Sequence, residues 1–235
     1  VVGGTGSGKS TMVQHLNLLL EPTSGEVLVD GVDARGGAGA SSGGGSGSCS
    51  SFRRPRSSPD RAGGRGLRPR RMGLGEGEVR ERVDGVLERL GIGHLGERVP
   101  HSLSGGEKRR AAISGVLAMG PEVLVLDEPT AGLDPATREE LLGVIRALRG
   151  DGKTVVLVSH DLDEVAEVAD RVCVMRDGRI ERVGTPGEVF YAGAAAGPVP
   201  ATVRVAAPLR EGHPEINKPV SFEETLAALK ATLGQ

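Results

Sequence analysis

Aromatic residues are nearly missing from this chain: of 235 residues none is Trp, one is Tyr and three are Phe. Its core has to be filled by aliphatic side chains, and 38 Gly dilute it further. Cysteine is scarce as well. Cys49 and Cys173 form neither a disulfide framework nor a metal-ligand spacing, and two scattered thiols suit a reducing compartment. Charge of one sign is also lacking: 29 Lys and Arg face 31 Asp and Glu, so no overall field attracts nucleic acid or an anionic membrane. No apolar run approaches the length that crosses a bilayer, so a membrane role has to come through a partner. The opening, Val1-Val2 directly on glycines with no initiator Met, reads as a chain whose first strand has been cut away.

What the chain does have is alternation of strand and helix. Residues 11–20 carry Met12, Val13, Leu16, Leu19 and Leu20 at helical spacing, and Pro22 stops them. Residues 25–31 alternate Val27 and Val29 between glycines, as a short strand does. Periodicity vanishes from Ala34 to about Gly75. It returns with Val79, Val83, Val86, Leu87 and Leu90, an i, i+4, i+7 helical stripe. A second helix is expected over residues 104–119, ended by Gly120-Pro121. Residues 123–126 and 154–159 read as strands buried on both faces, as parallel strands are, with helices over 135–149 and 163–169. Residues 171–184 read as two strands about a turn at Asp177-Gly178. Beyond Gly184 a Pro/Ala/Gly stretch leads to a last helix, Phe222–Leu233. The fold class is α/β with a mostly parallel sheet.

Three motifs carry chemistry. Residues 3–11, GGTGSGKST, fit G-x-x-x-x-G-K-[ST] through Gly3, Gly8, Lys9 and Ser10; Gly4, Thr5, Gly6, Ser7 and Thr11 complete the candidate nucleotide-binding set. Glycines let successive backbone N–H groups turn inward around a polyphosphate, and the helix that follows aims its positive end at the same anion. Lys9 neutralises β- and γ-phosphate oxygens, and the Ser10 hydroxyl is a Mg²⁺ ligand. Asp127 ends a buried strand, where a carboxylate can hold Mg²⁺ through water, and Glu128 beside it can orient or deprotonate an attacking water. The third motif, LSGGE at residues 103–107, places Ser104, Gly105 and Gly106 at a helix start, again a shape for phosphate oxygens. As Ser104-x-x-Glu107 it is also an ordinary capping box. A second cradle can serve the nucleotide of the first only where two chains meet.

With DEPTAGLD downstream at residues 127–134, the sequence closely resembles the ATP-binding cassette (ABC) family. Residues 3–11 match its Walker A, 103–107 its signature, 123–128 its Walker B, 131–134 its D-loop, and His160 its switch histidine. The match spans residues 1–32 and about 73–190. The resemblance implies a P-loop NTPase core binding ATP and Mg²⁺, and a head-to-tail dimer with an identical or paralogous ATPase subunit. In that dimer Ser104 and Gly106 of one copy meet the γ-phosphate held by the other, His160 meets it from the Walker A side, and Asp134 belongs to the nucleotide set. TGSGKST, QHLN, PTSGEV, LSGGEKRR and a tail with EGHPEI and SFEETLAAL resemble the ATPase subunit of energy-coupling-factor importers, which take up vitamins or cobalt and nickel ions. That likeness implies a helical arm near residues 75–95 meeting a transmembrane coupling subunit, a substrate-binding membrane subunit beyond it, a place on the cytoplasmic face of the membrane, and no nucleic-acid partner. The expected division is an ATPase domain over 1–190, with core 1–33 and 104–190, insert 34–75 and arm 76–103, followed by an extension over 191–235 that contributes to dimer contacts.

The insert departs from the family pattern. From Phe52 to Arg71 there are eight Arg and a single acid, Asp60, and no Gln lies between Gln14 and Gln235, although the family places a Gln here that links Mg²⁺ and water to the membrane partner. Reading the codons of residues 45–54 in a shifted frame permits Val-Gly-Leu-Val-Phe-Gln-Phe-Pro-Glu, the segment the family expects, and residues 64–69 permit Asp-Val-Ala-Phe-Gly in the other frame. One reading is therefore frameshifted coding sequence, with a sheet strand and the Gln lost. The other is a Gly/Ser/Arg linker or basic nucleic-acid arm. Two rival functions accompany these readings: a soluble ABC protein of repair or translation, and an inactive fragment of a transport subunit.

Overall fold

The computed structural model describes residues 1–16, 19–29, 31–33, 50–51, 75–96, 98, 100–121, 123–193, 198–214 and 216–233. Of the insert over 34–75 only Ser50, Ser51 and Gly75 are described, and the rest, Cys49 included, lies outside the described residues. The chain forms two compact units, Val1–Ser10 with Leu157–Gln235, and Thr11–Val156.

In the first unit the opening dipeptide pairs with its neighbours through an isolated bridge. Val2 donates its N–H to the Cys173 carbonyl (2.8 Å) and accepts from Met175 (2.8 Å), a parallel bridge to Val174, and the Val1 carbonyl accepts from Ser159 N–H (3.2 Å). This dipeptide thus lies between the end of β5 (Thr154–Val158) and β6 (Val172–Arg176). The latter turns back antiparallel as β7 (Arg179–Gly184). Asp177 and Gly178 form the turn with φ of 50° and 75°, the left-handed pair whose twist suits a hairpin. Between β5 and β6 runs α5 (Leu162–Val168), capped by Asp161, whose carboxylate accepts from the N–H groups of Asp163 and Glu164 (3.1 Å each).

The Pro/Ala/Gly stretch after Gly184, to which the sequence pattern assigns no element before the last helix, holds two helices, α6 (Pro186–Gly193) and α7 (Ala201–Gly212), before α8 (Phe222–Leu233). The first is capped by a box, with Thr185 N–H donating to Glu188 Oε2 (2.8 Å) and Glu188 N–H to Thr185 Oγ1 (3.3 Å). The second contains Pro208 and packs through Val203. Val2, Val165, Ala166, Val172, Val189, Phe190 and Val203 form one buried cluster, so burial against the sheet overrides weak helix propensity. Side chains then stitch the segment before α8: Tyr191 Oη donates to Pro219 O (2.9 Å), Thr202 Oγ1 to Val220 O (2.6 Å) and Arg210 Nε to Ile216 O (3.0 Å).

The second unit follows α1 (Lys9–Leu16). This helix ends earlier than its apolar spacing predicts: Leu19 and Leu20 fold back with both N–H groups on Gln14 O (2.8 and 3.1 Å), and their side chains are exposed. A small hairpin, β1 (Leu28–Val29) with β2 (Val32–Asp33), takes the place of the single strand expected over 25–31. The frameshift reading implies a sheet short of one strand, yet β3 (Ser50–Ser51) pairs in parallel with β4 (Val123–Asp127), Ser50 opposite Leu124 and Ser51 opposite Val125. Backbone pairing uses groups that every residue carries. The strand order is β3-β4-β5. Leu124, Val125 and Leu126 are buried, as are Ile113 and Val116 on α3 (Gly105–Leu117) and Leu141, Leu142, Ile145 and Leu148 on α4 (Pro135–Gly150). The arm α2 (Glu76–Arg89) buries Val79 and Leu87 from its stripe, and Arg89 pairs with Asp151 (2.8 Å) just past α4.

Candidate active site

Residues 3–10 in the first unit form a loop that only glycine permits at its tight points. A Cβ on Gly3 would sit 2.3 Å from the Met175 carbonyl, and one on Gly8, where φ is 96°, would sit 3.2 Å from Gly178 Cα. Gly6 is also left-handed, at φ 80°. Ser7 is buried and cross-braces the loop, donating its N–H to Gly4 O (3.2 Å) and accepting Gly178 N–H at its carbonyl (3.1 Å). The Lys9 ammonium folds back over the loop onto the carbonyls of Gly3 (2.7 Å) and Gly4 (2.9 Å) and reaches Ser7 Oγ (3.5 Å). Directly behind it starts α1, whose first-turn N–H groups have no partner within the helix. An ammonium, a glycine-lined turn and a helix start at one place make a donor set that fits a polyphosphate.

His160 belongs to the same unit and is exposed, while Ser159 before it is fully buried. The Ser159 hydroxyl donates to Glu164 Oε2 (2.9 Å) and accepts from Asp161 N–H (3.1 Å), which fixes the backbone on both sides of His160. Sequence reasoning assigned nothing to Ser159 or Glu164; an acid five residues past a polar strand end was the available signal.

In the second unit Ser104, Gly105 and Gly106 open α3, Asp134 caps α4, Asp127 ends β4 and Glu128 follows it. The capping box is formed: Glu107 N–H donates to Ser104 Oγ (3.2 Å) and Ser104 N–H to Glu107 Oε2 (2.7 Å). The Ser104 backbone N–H, and after it the Ser104 hydroxyl, hold the Glu107 carboxyl below its ordinary value. Asp134 caps α4 with Pro135 behind it, taking Thr137 N–H (3.1 Å) and the Thr137 hydroxyl (2.6 Å). The hydroxyl is the larger cause of its lowered pKa, followed by that N–H. Gly106 is buried against Thr137, whose methyl lies where a Cβ would go, and Arg110 pairs with Glu140 farther along the two helices. Glu128 follows β4 with φ at 48°, unusual for a residue with a Cβ. Arg109, part of the LSGGEKRR run but given no role there, donates to the carbonyls of Glu128 and Pro129. Among the described residues no group of three or more His, Cys, Asp or Glu is placed to hold a metal ion. Mg²⁺ is often held by one or two protein oxygens with substrate phosphate and water, and the Ser10 hydroxyl beside the phosphate loop is an oxygen of that kind.

Residues 1–131 match the model of the family described as ABC transporter. The chain belongs to the ABC transporter family. It is 46% identical to the energy-coupling factor transporter ATP-binding protein EcfA2 of Symbiobacterium thermophilum, over 99% of this chain and 84% of that protein. Among solved structures it resembles cbiO1 of Clostridium perfringens, part of the ABC transporter complex cbiONQ, with 36% identity and a TM-score of 0.71 over 90% of this chain and 84% of that one. A dimeric ATP-binding cassette in a post-hydrolysis state, bound to ADP and Pi, matches at 26% identity and a TM-score of 0.64, over 78% and 83%. The chain is thus an ABC ATPase of the energy-coupling-factor type with an α/β cassette fold. Among the described residues no helix of this ATPase is long and apolar enough to cross a membrane.

Proposed function

We propose that this ABC ATPase hydrolyses Mg-ATP in a head-to-tail dimer and thereby drives solute uptake through membrane subunits on the cytoplasmic face. The observation that carries the reading is the Lys9 ammonium drawn over a glycine loop at the start of α1. In this scheme residues 3–11 hold the triphosphate, with Lys9 against the β- and γ-phosphate oxygens. Ser10 and Asp127 hold Mg²⁺, which on binding screens phosphate charge. Glu128 takes the proton of the attacking water, His160 steadies the γ-phosphate, and Ser104 and Gly106 reach the nucleotide of the second copy, with Asp134 beside it. The dimeric cassette holding ADP and Pi supports the pairing.

The membrane side follows from likeness to a chain that is part of the complex cbiONQ. The cassette over 1–190 delivers the stroke, the arm α2 meets the coupling subunit, and the extension over 191–235 adds dimer contacts. The solute, a vitamin or a transition-metal ion, is chosen by a separate membrane subunit. Turnover and Mg-ATP binding of E128Q test the core of this scheme. The variant is expected to bind nucleotide and dimerise while hydrolysis falls by about 10²-fold or more; an unchanged rate removes Glu128 from the role of base.

A further inference from the structure

Arg109 joins two features that the proposed chemistry treats separately. It lies one turn into α3, the helix whose first residues are proposed to meet the nucleotide of the neighbouring copy. Its guanidinium reaches past the end of β4, donating through Nη2 to the Glu128 carbonyl (2.7 Å) and through Nε to the Pro129 carbonyl (2.6 Å). Capture of two successive carbonyls by one planar fork fixes both peptide planes, which a single ammonium cannot do. The turn needs fixing. Glu128 sits at φ 48°, a conformation that a residue with a Cβ holds only when its surroundings impose it. The turn's own closing bond, Ala131 N–H to Glu128 O, is longer at 3.3 Å.

We propose that Arg109 is a positioning residue for Glu128. It clamps the left-handed turn that sets where the Glu128 side chain leaves the backbone, and so keeps the base in register with α3. The contact between Gly106 and Thr137 and the pair Arg110–Glu140 hold α3 to α4 in the same unit, so the clamp is anchored on a braced helix. The proposal rests on the reading of Glu128 as the base.

The test compares steady-state hydrolysis and Mg-ATP affinity of the unmodified chain, R109A, R109K, E128Q and R109A/E128Q, with guanidinium added to R109A. R109A is expected to lower kcat by about 10²-fold, the scale of a misplaced catalytic group, with affinity for Mg-ATP within about twofold. R109K recovers only part of the loss, and guanidinium in solution recovers part in R109A. In the E128Q background the second substitution adds less than about twofold, because the group it positions is already gone. An equal loss in both backgrounds, or full kcat in R109K, overturns the proposal, and the R109K arm decides alone if R109A does not fold. Unaltered hydrolysis by E128Q is a different failure: it removes the base role and the proposal with it. A slow E128Q beside a normal R109A overturns the positioning role alone.

Discussion

Replacing Gly106 by Ala puts a methyl group where Thr137 already is. The new Cβ would lie 2.1 Å from Thr137 Cγ2 but 3.4 Å from the Thr137 Cβ and Oγ1, so the overlap is with that one methyl. Thr137 cannot rotate away cheaply, because its hydroxyl and its N–H are both bound to Asp134 (2.6 and 3.1 Å). Forcing α3 and α4 apart at this point costs about 2–3 kcal/mol, the upper part of the range for overpacking. Ala in place of Gly inside a helix returns about 1 kcal/mol. The balance is a loss of about 1–2 kcal/mol, or a Tm lower by about 2–8 °C for a chain of this size. Thr137→Ser removes the offending methyl and keeps the hydroxyl, so G106A/T137S should regain the lost Tm in a thermal melt. A G106A protein that melts with the unmodified chain, or a loss that T137S does not repair, refutes the packing argument.

Acid sensitivity follows from three capping carboxylates. Glu107, Asp134 and Glu188 are all held below their ordinary values, by hydrogen bonds from Ser104, Thr137 and Thr185 in turn. A lowered folded pKa means stability that is present in full above the ordinary carboxylate range and lost as pH falls through the folded value. E107Q should therefore melt below the unmodified chain at neutral pH, with the gap closing in acid; a gap independent of pH sinks the assignment. In the first unit, Asp163 Oδ1 accepts Ala201 N–H (2.6 Å) and Glu167 Oε1 accepts Phe222 N–H (2.8 Å), so α5 caps both later helices. D163A/E167A should lose about 1 kcal/mol at each helix start, raising local opening of α7 and α8 about fivefold per site, measured by hydrogen exchange. Unchanged exchange there rules the caps out as supports.

Much of the fold was legible because its signals are local. Asp134-Pro135 marks the start of α4 and Asp177-Gly178 the hairpin turn, and α8 occupies the residues its pattern assigned. The phosphate loop was legible for the same reason, since its glycines, Lys9 and the helix behind them are neighbours in sequence. The helices α6 and α7 were not, because Ala, Gly and an internal Pro208 give little intrinsic preference and burial of Phe190 and Val203 supplies the rest. Nor was the early end of α1, where Leu19 and Leu20 continue the helical spacing but not the helix.

By itself the sequence determined the motifs, the order of strand and helix from α2 to β7, and the family, because each depends on groups within a few residues of one another. Tertiary structure decided what sits against those motifs. Arg109 meets Pro129 across 20 residues, and Val1 pairs with Leu157 across 156. Gly106 reads as a phosphate glycine in its motif and as a packing glycine beside Thr137. Contacts of that range form only when the helices and strands of each unit pack together, and no spacing along the chain announces which side chains will then face each other.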